Sequence, residues 1–294
     1  MYFLSDVDHK LLVNKLLPTS REVGISLELR GWSWSSAPLK PYYDDVKIPM
    51  YLACSKYCPN NRDVFLNRVQ GKRGEINFNV SQGIGLHIAV GRVMGDFIEG
   101  KGVPFEDWWA ENYTKISNKD WVEPMKKHAS LAWEFALTNC KAALANKMSE
   151  QPYASDRDTM ATALPFLIEH KLNGELVGLS GLLSIDCYDY LHNIVFDLKI
   201  ADKQEEWHKL YPTGYAVVIE SIYEIPVDVG CTVYLSFKDD RLIVKRELFF
   251  INDDLRSWWL DERDQKLEIV AQRKDPGIPS KCYEDCIYWK ECRD

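Results

Sequence analysis

Four cysteines stand near opposite ends of this chain. Cys58 lies in Tyr57-Cys58-Pro59, and Cys282, Cys286 and Cys292 form a Cys-x3-Cys-x5-Cys run. Neither group is a complete metal site. Together they supply four thiolates, the number that holds an iron–sulfur cluster or a structural zinc. A shared site would fasten both ends of the chain around whatever lies between. Cys54 is an alternative N-terminal ligand, and Cys54, Cys58, Cys282 and Cys286 would make a zinc set with Cys292 left over. Cys140, Cys187 and Cys231 fall in helix or strand patterns and read as small buried hydrophobes.

The chain has 294 residues, 46% of them hydrophobic, enough for a substantial core. No run approaches the roughly 20 apolar residues of a membrane span. The start, Met1-Tyr-Phe-Leu-Ser-Asp, lacks a charged n-region followed by an apolar stretch, so no signal peptide is expected. The expected location is the cytoplasm, where reduced thiols favour metal ligation over disulfides. The net charge of −8 argues mildly against a nucleic-acid partner. Locally the balance reverses: Lys56, Arg62, Arg68, Lys72 and Arg73 face a single acid, Asp63, beside Cys58. That strip is a candidate for phosphate contact, with an ordinary solvated helix face as the alternative.

Residues 1–50 carry Pro18, Pro38, Pro41 and Pro49 and read as irregular. Trp32 and Trp34 could stack on bases or form a small hydrophobic cluster. Helices are expected over 61–69, 81–99 and 126–148 from apolar spacing. Strands are expected over 166–171, 175–185 and 193–201. A helix over 211–223 has Pro212 in its first turn. A hairpin pairs 231–237 with 242–249, and Asn252 caps a helix running to about Gln272. The whole reads as one α/β domain over 1–294, with a helical part at about 51–150, a core at about 160–250 and a cysteine segment at 276–294.

The chemistry concentrates in Gly181-Leu-Leu-Ser-Ile-Asp186 and Asp197-Leu-Lys199. Strand alternation projects Asp197 and Lys199 to one face and Phe196 and Leu198 to the other. Buried ions are costly unless paired or coordinated. A hairpin would bring Asp186, expected at the end of its strand, beside Asp197. Two converging carboxylates repel until a divalent cation sits between them. Mg²⁺ or Mn²⁺ held there suits phosphodiester hydrolysis, with Lys199 orienting water or stabilising the transition state. Asp-x-Lys alone is weak and is equally a strand-end salt bridge. Combined with Gly-x4-Asp and four cysteines it becomes much rarer.

This set resembles the RecB-like nucleases of the restriction-endonuclease fold, and among them the iron–sulfur CRISPR-associated exonucleases. Tyr57-Cys58-Pro59-Asn-Asn-Arg62-Asp63 and the chain length look most like the archaeal variant found with type I-A adaptation genes. The resemblance implies a central mixed sheet flanked by helices, with the termini joined at an iron–sulfur cluster, 4Fe-4S foremost, on Cys58, Cys282, Cys286 and Cys292. It implies a Mg²⁺ or Mn²⁺ site on His87, Asp186, Asp197 and the Leu198 carbonyl, with Lys199 catalytic. The family's Gln-x3-Tyr motif is matched by Tyr215 but carries Tyr211 where glutamine is usual. The C-terminal cysteine gap is three residues where two are common.

The expected function is a metal-dependent DNA exonuclease acting on single strands or overhangs. Its expected setting is spacer acquisition beside CRISPR integrase and adaptation proteins, with no membrane partner. The alternative is a non-catalytic iron–sulfur or zinc DNA-binding subunit of the same complex. Arg62, Arg68, Lys72, Arg73 and Tyr211 are the candidate nucleic-acid contacts. His170, His192 and His208 match no motif and read as surface or structural. Glu169, on the preceding strand, reads either as support for the metal site or as a sheet-edge charge.

Overall fold

The computed structural model describes residues 1–113, 118–282 and 286–293. The spacer between Cys282 and Cys286 thus lies outside the described residues.

Residues 6–23 are helical where irregular chain was expected, whereas 24–49 are irregular apart from 3-10 turns at Leu27–Leu29 and Gly31–Ser33. α1 (Asp6–Leu11) passes through a π-type turn (Leu12–Leu16) into α2 (Leu17–Val23). Ser5 caps α1 reciprocally: its side chain accepts from the Asp8 N–H, and the Asp8 carboxylate accepts from the Ser5 N–H. Pro18 sits in the first turn of α2, where its missing N–H costs least. Leu12 and Leu16 are buried, which anchors the segment.

α3 (Met50–Cys54) and α4 (Arg62–Val64) follow, the latter extended by a π-type turn over Phe65–Val69. α5 (Phe78–Ile98) starts at Asn77, whose side chain accepts from the Val80 N–H. α6 (Phe105–Tyr113), α7 (Lys119–Glu150) and α8 (Asp156–Ala163) complete the helical half. The expected helix over 126–148 begins earlier, because Asn118 caps it and Pro124 falls close to its start.

The sheet contains β1 (Phe166–Leu172), β2 (Leu183–Asp189) and β3 (Ile194–Ile200). α9 (Leu210–Tyr223) crosses over to β4 (Val229–Lys238), β5 (Arg241–Phe250) returns, and α10 (Asp253–Gln272) follows its Asn252 cap. The order is β1-β2-β3-β4-β5; only the β3–β4 pair is parallel. The β4–β5 turn uses Asp239 and Asp240, both at positive φ, as a tight hairpin requires. The strand expected over 175–185 is wrong in its first half. Glu175–Val177 is a 3-10 turn closed by Gly178 at φ 81°. β2 instead runs on to Asp189, so Asp186 sits within the strand, not at its end.

Helices cover both faces of the sheet. One core joins Phe196, Leu198 and Val233 to Val90 of α5 and Trp133 of α7. The other joins Ile185 and Val195 to Val217 of α9 and Trp259 of α10. The first two strands change faces along their length. Phe166 and Cys187 point into the α5/α7 core, whereas Leu172, Leu183 and Ile185 point into the α9/α10 core. The switch falls at Glu169 and Asp186. Pairing runs through Ile168↔Cys187, skips one position, and resumes at His170↔Ile185; Glu169 has φ 50°.

A buried ionic network holds residues 26–31 onto the α9/α10 side. Glu220 on α9 accepts from Arg256 at 2.8 and 2.9 Å, from Arg30 at 2.8 Å, and from the backbone N–H groups of Gly31 and Val227. Arg30 also pairs with Asp228. Two guanidinium groups thus meet two carboxylates.

Candidate metal sites

The ladder between β2 and β3 stops at Cys187↔Phe196. Beyond that pair the two strands no longer pair with each other, and the Leu198 N–H donates to Asp186 Oδ2 at 2.7 Å. A carboxylate has taken the place of a backbone acceptor, which fixes Asp186 beside Asp197. From the α5 side, His87 places Nδ1 at 3.0 Å from Asp186 Oδ1. Gly85, two residues before His87, lies against Tyr113 and Met125, where a side chain would collide with the Tyr113 hydroxyl.

Asp197 and Lys199 share a face of β3, as alternation predicts. Lys199 Nζ lies 2.8 Å from Asp197 Oδ2 and 3.2 Å from the centre of the Tyr211 ring. The ammonium is thus the neighbour of the buried Asp197 Oδ2. Thr232 Oγ1, on the residue paired with Asp197 in β4, is buried without a hydrogen-bond partner. Tyr215 donates its hydroxyl to the Ser184 carbonyl at 2.7 Å, tying α9 to β2 beneath the site.

The electrostatics follow from this packing. Burial pushes the Asp197 carboxyl up to about 6, with Lys199 opposing and Asp186 adding to the rise. Burial acts the same way on Asp186, but His87, the Leu198 N–H and Lys199 outweigh it and hold that carboxyl below its ordinary value. Burial disfavours the His87 imidazolium, yet the adjacent Asp186 and Asp197 outweigh it and raise the ring. His87 with Asp186 and Lys199 with Asp197 therefore form two opposed pairs. Among the described residues no three His, Cys, Asp or Glu side chains form a ready-made metal cage. The donor set nonetheless fits a hard divalent cation: two carboxylates and an imidazole on adjoining elements.

The four end cysteines form no ready-made cage among the described residues either. Burial first, with Cys282, Cys58 and Cys292 adding, pushes the Cys286 thiol up to about 11. Mutual repulsion of thiolates is what a cationic cluster relieves, so this donor set fits one. The walls are built from both ends of the chain. Arg62 forks onto Asp275 at 3.0 Å and donates to the Cys292 carbonyl at 2.8 Å. Asn60 donates to the Gly277 carbonyl at 2.7 Å, and the Glu75 N–H to that of Ile287 at 2.8 Å. Leu66 packs with Cys286, Ile287, Tyr288 and Cys292. Cys54 belongs elsewhere: its Sγ contacts the Leu210 carbonyl in the α9/α10 core, and burial pushes its thiol up to about 12.

The basic strip is partly engaged. Arg62 and Lys72 pair with Asp275 and Glu291, Lys56 with Glu262, and Arg68 donates to the Lys47 carbonyl. Arg73 remains exposed. Arg62 thus serves the cysteine segment in this structure. His170, His192 and His208 bind Tyr223, Asp189 and Tyr234. Trp34 is exposed, and the Arg30 guanidinium lies over Trp32.

The chain is 30% identical to a CRISPR-associated exonuclease Csa1 of Saccharolobus solfataricus, covering 99% of each chain. It is 24% identical to one of Thermoproteus tenax over 96% of each. No solved structure matches. Among the described residues no helix is long and apolar enough to cross a membrane. The family model of CRISPR-associated exonuclease Csa1 matches residues 1–294, and the chain belongs to that family.

Proposed function

We propose that this protein is a Mg²⁺- or Mn²⁺-dependent DNA exonuclease with an iron–sulfur cluster, trimming DNA fragments for CRISPR spacer acquisition. The observation that carries the reading is the meeting of His87, Asp186, Asp197 and Lys199 where β2 leaves β3. The β1–β3 meander followed by a helical crossover to a parallel β4 supports a restriction-endonuclease-like core. The relatives' names supply the exonuclease activity and the CRISPR setting.

His87, Asp186, Asp197 and the Leu198 carbonyl would hold the divalent ion. When bound, it activates water and neutralises charge on the scissile phosphate. The protein's own groups do the positioning. The Leu198 N–H keeps Asp186 in place, and Tyr215 fastens β2 to α9. The Tyr211 ring and Asp197 hold the Lys199 ammonium, which can donate to a phosphate oxygen. Cys58, Cys282, Cys286 and Cys292 would hold the cluster, which fastens the chain ends and carries no step of the hydrolysis.

The test is nucleotide release from linear and covalently closed DNA, with Mn²⁺, Mg²⁺ or a chelator. Release from linear DNA only, lost with chelator and in Asp197→Ala, is expected. Cutting by Asp197→Ala at the parent rate would place the activity elsewhere. DNA binding without any cleavage would favour the non-catalytic subunit.

A further inference from the structure

A 3-10 turn, Glu206–Lys209, lies between β3 and α9 and is pinned to the sheet. His208 is buried, with Nδ1 3.2 Å from the Tyr234 hydroxyl, and Tyr234 is the β4 partner of Lys199. Lys209 reaches from the turn to Glu247 of β5 at 2.8 Å. Trp207 precedes these two anchors and packs, half-buried, against the α9/α10 core. Its ring centre is 6.3 Å from that of Tyr211, and the Tyr211 ring carries the Lys199 ammonium. One ring therefore separates Trp207 from the lysine of the proposed site.

Tyr57 meets the same tryptophan from a distant part of the chain. It follows α3 and directly precedes Cys58. Its ring centre lies 4.9 Å from that of Trp207, with the two planes at 80°. Rings set edge to face leave one face uncovered by the other. Tyr57 is 65% exposed and belongs to none of the hydrophobic cores, so core packing does not account for its ring. Two aromatic surfaces thus meet water close to an ammonium. An unpaired nucleotide presents the matching chemistry, an open base face and a phosphate. A base inside a duplex is covered on both faces and has to leave the stack before it can use such rings.

We propose that Tyr57 and Trp207 stack on an unpaired nucleobase while Lys199 meets the neighbouring phosphate, so that these two rings select single-stranded DNA. This rests on the proposed nuclease site and names the groups that choose its substrate. Tyr57 acts through its ring, and its hydroxyl is dispensable. Tyr211, with the ammonium against its ring, positions Lys199 and leaves the base to the other two rings.

The test is fluorescence anisotropy of labelled oligothymidylate bound to cluster-loaded protein in EDTA, so that binding is read without cleavage. A fully abasic strand of the same length supplies the same phosphates without bases. Stacking of one base on an aromatic ring corresponds to about fivefold or more in affinity, so the parent should prefer oligothymidylate by at least that factor. Tyr57→Ala and Trp207→Ala should each weaken oligothymidylate by about fivefold or more and bind the abasic strand as the parent does. Tyr57→Phe should match the parent on both strands. Affinity for a blunt duplex should not change in any variant. Circular dichroism establishes folding; if Trp207→Ala fails to fold, the exposed Tyr57→Ala decides. A Tyr57→Ala protein that binds oligothymidylate like the parent, or that weakens both strands equally, overturns the inference. Cleavage by the parent with Mn²⁺ is read separately. If the parent cleaves and the rings prove indifferent, this inference alone falls; if the base contact is found and the parent never cleaves, the nuclease reading falls and the base contact stands.

Discussion

Replacing Arg256 by Met tests the account of how residues 26–31 are held. Arg256 is fully buried and gives two hydrogen bonds to Glu220, with others to the carbonyls of Leu29, Val227 and Ile251. Methionine keeps much of the apolar stem and removes the charge. Glu220, also fully buried, would then share Arg30 with Asp228. Breaking a buried ion pair by removing one partner costs about 3–5 kcal/mol. At about 2 cal/mol/K of unfolding entropy per residue, that lowers Tm by about 5–8 °C for a chain this size. Burial opposes the Glu220 charge, but Arg256 and the backbone donors outweigh it and hold its carboxyl below 4.5. The stabilisation is therefore complete above pH 4.5 and lost as pH falls through the depressed folded value. Without Arg256 the folded carboxyl moves up, so the deficit should be full at pH 7 and shrink below about pH 5. Guanidinium unfolding followed by tryptophan fluorescence at both pH values measures it. A cost under about 1 kcal/mol at pH 7, or an equal cost at pH 4, would refute the reasoning.

Much of the C-terminal half was legible because its signals are local. Asn252 capped α10 as its residue type required, and β3 alternated as Asp197 and Lys199 indicated. The helical run over 6–23 is masked in the sequence by Pro18, although Ser5-x-x-Asp8 carries a reciprocal cap. The face switch at Glu169 and Asp186 was not legible. Alternation assumes one unbroken ladder, and nothing in a glutamate's chemistry announces a left-handed backbone. The Glu220 network was hidden for a related reason: Arg30, Asp228 and Arg256 look like surface charges until folding makes them partners. The Arg62 ion pair is hidden in the sequence because its partner Asp275 is 213 residues away.

Other outcomes follow from the same structure. Cys292→Ser should give protein depleted in iron and acid-labile sulfide with a lower Tm, since cluster binding couples to folding; unchanged iron content would remove Cys292 from the set. Burial first, then Lys199, pushes His208 down to about 4. Between pH 4 and 6.5 the unfolded chain binds the proton that the folded chain refuses, so stability should rise with pH there. His208→Gln should flatten that slope in denaturant titrations, and an unaltered slope would assign it to other groups. Gly31→Ala would put a methyl group 2.1 Å from the Val217 carbonyl oxygen. It should cost at least about 2 kcal/mol in chemical unfolding; a neutral effect would contradict the close approach of Gly31 to α9.

The proposed function puts a divalent cation in the cleft between α5, β2 and β3. Anomalous scattering from crystals soaked in MnCl2, collected on both sides of the manganese edge, locates it directly. The expected result is a peak bounded by His87, Asp186, Asp197 and the Leu198 carbonyl, absent from crystals of Asp197→Ala. Manganese bound elsewhere, with this cleft empty in protein that degrades DNA, would contradict it.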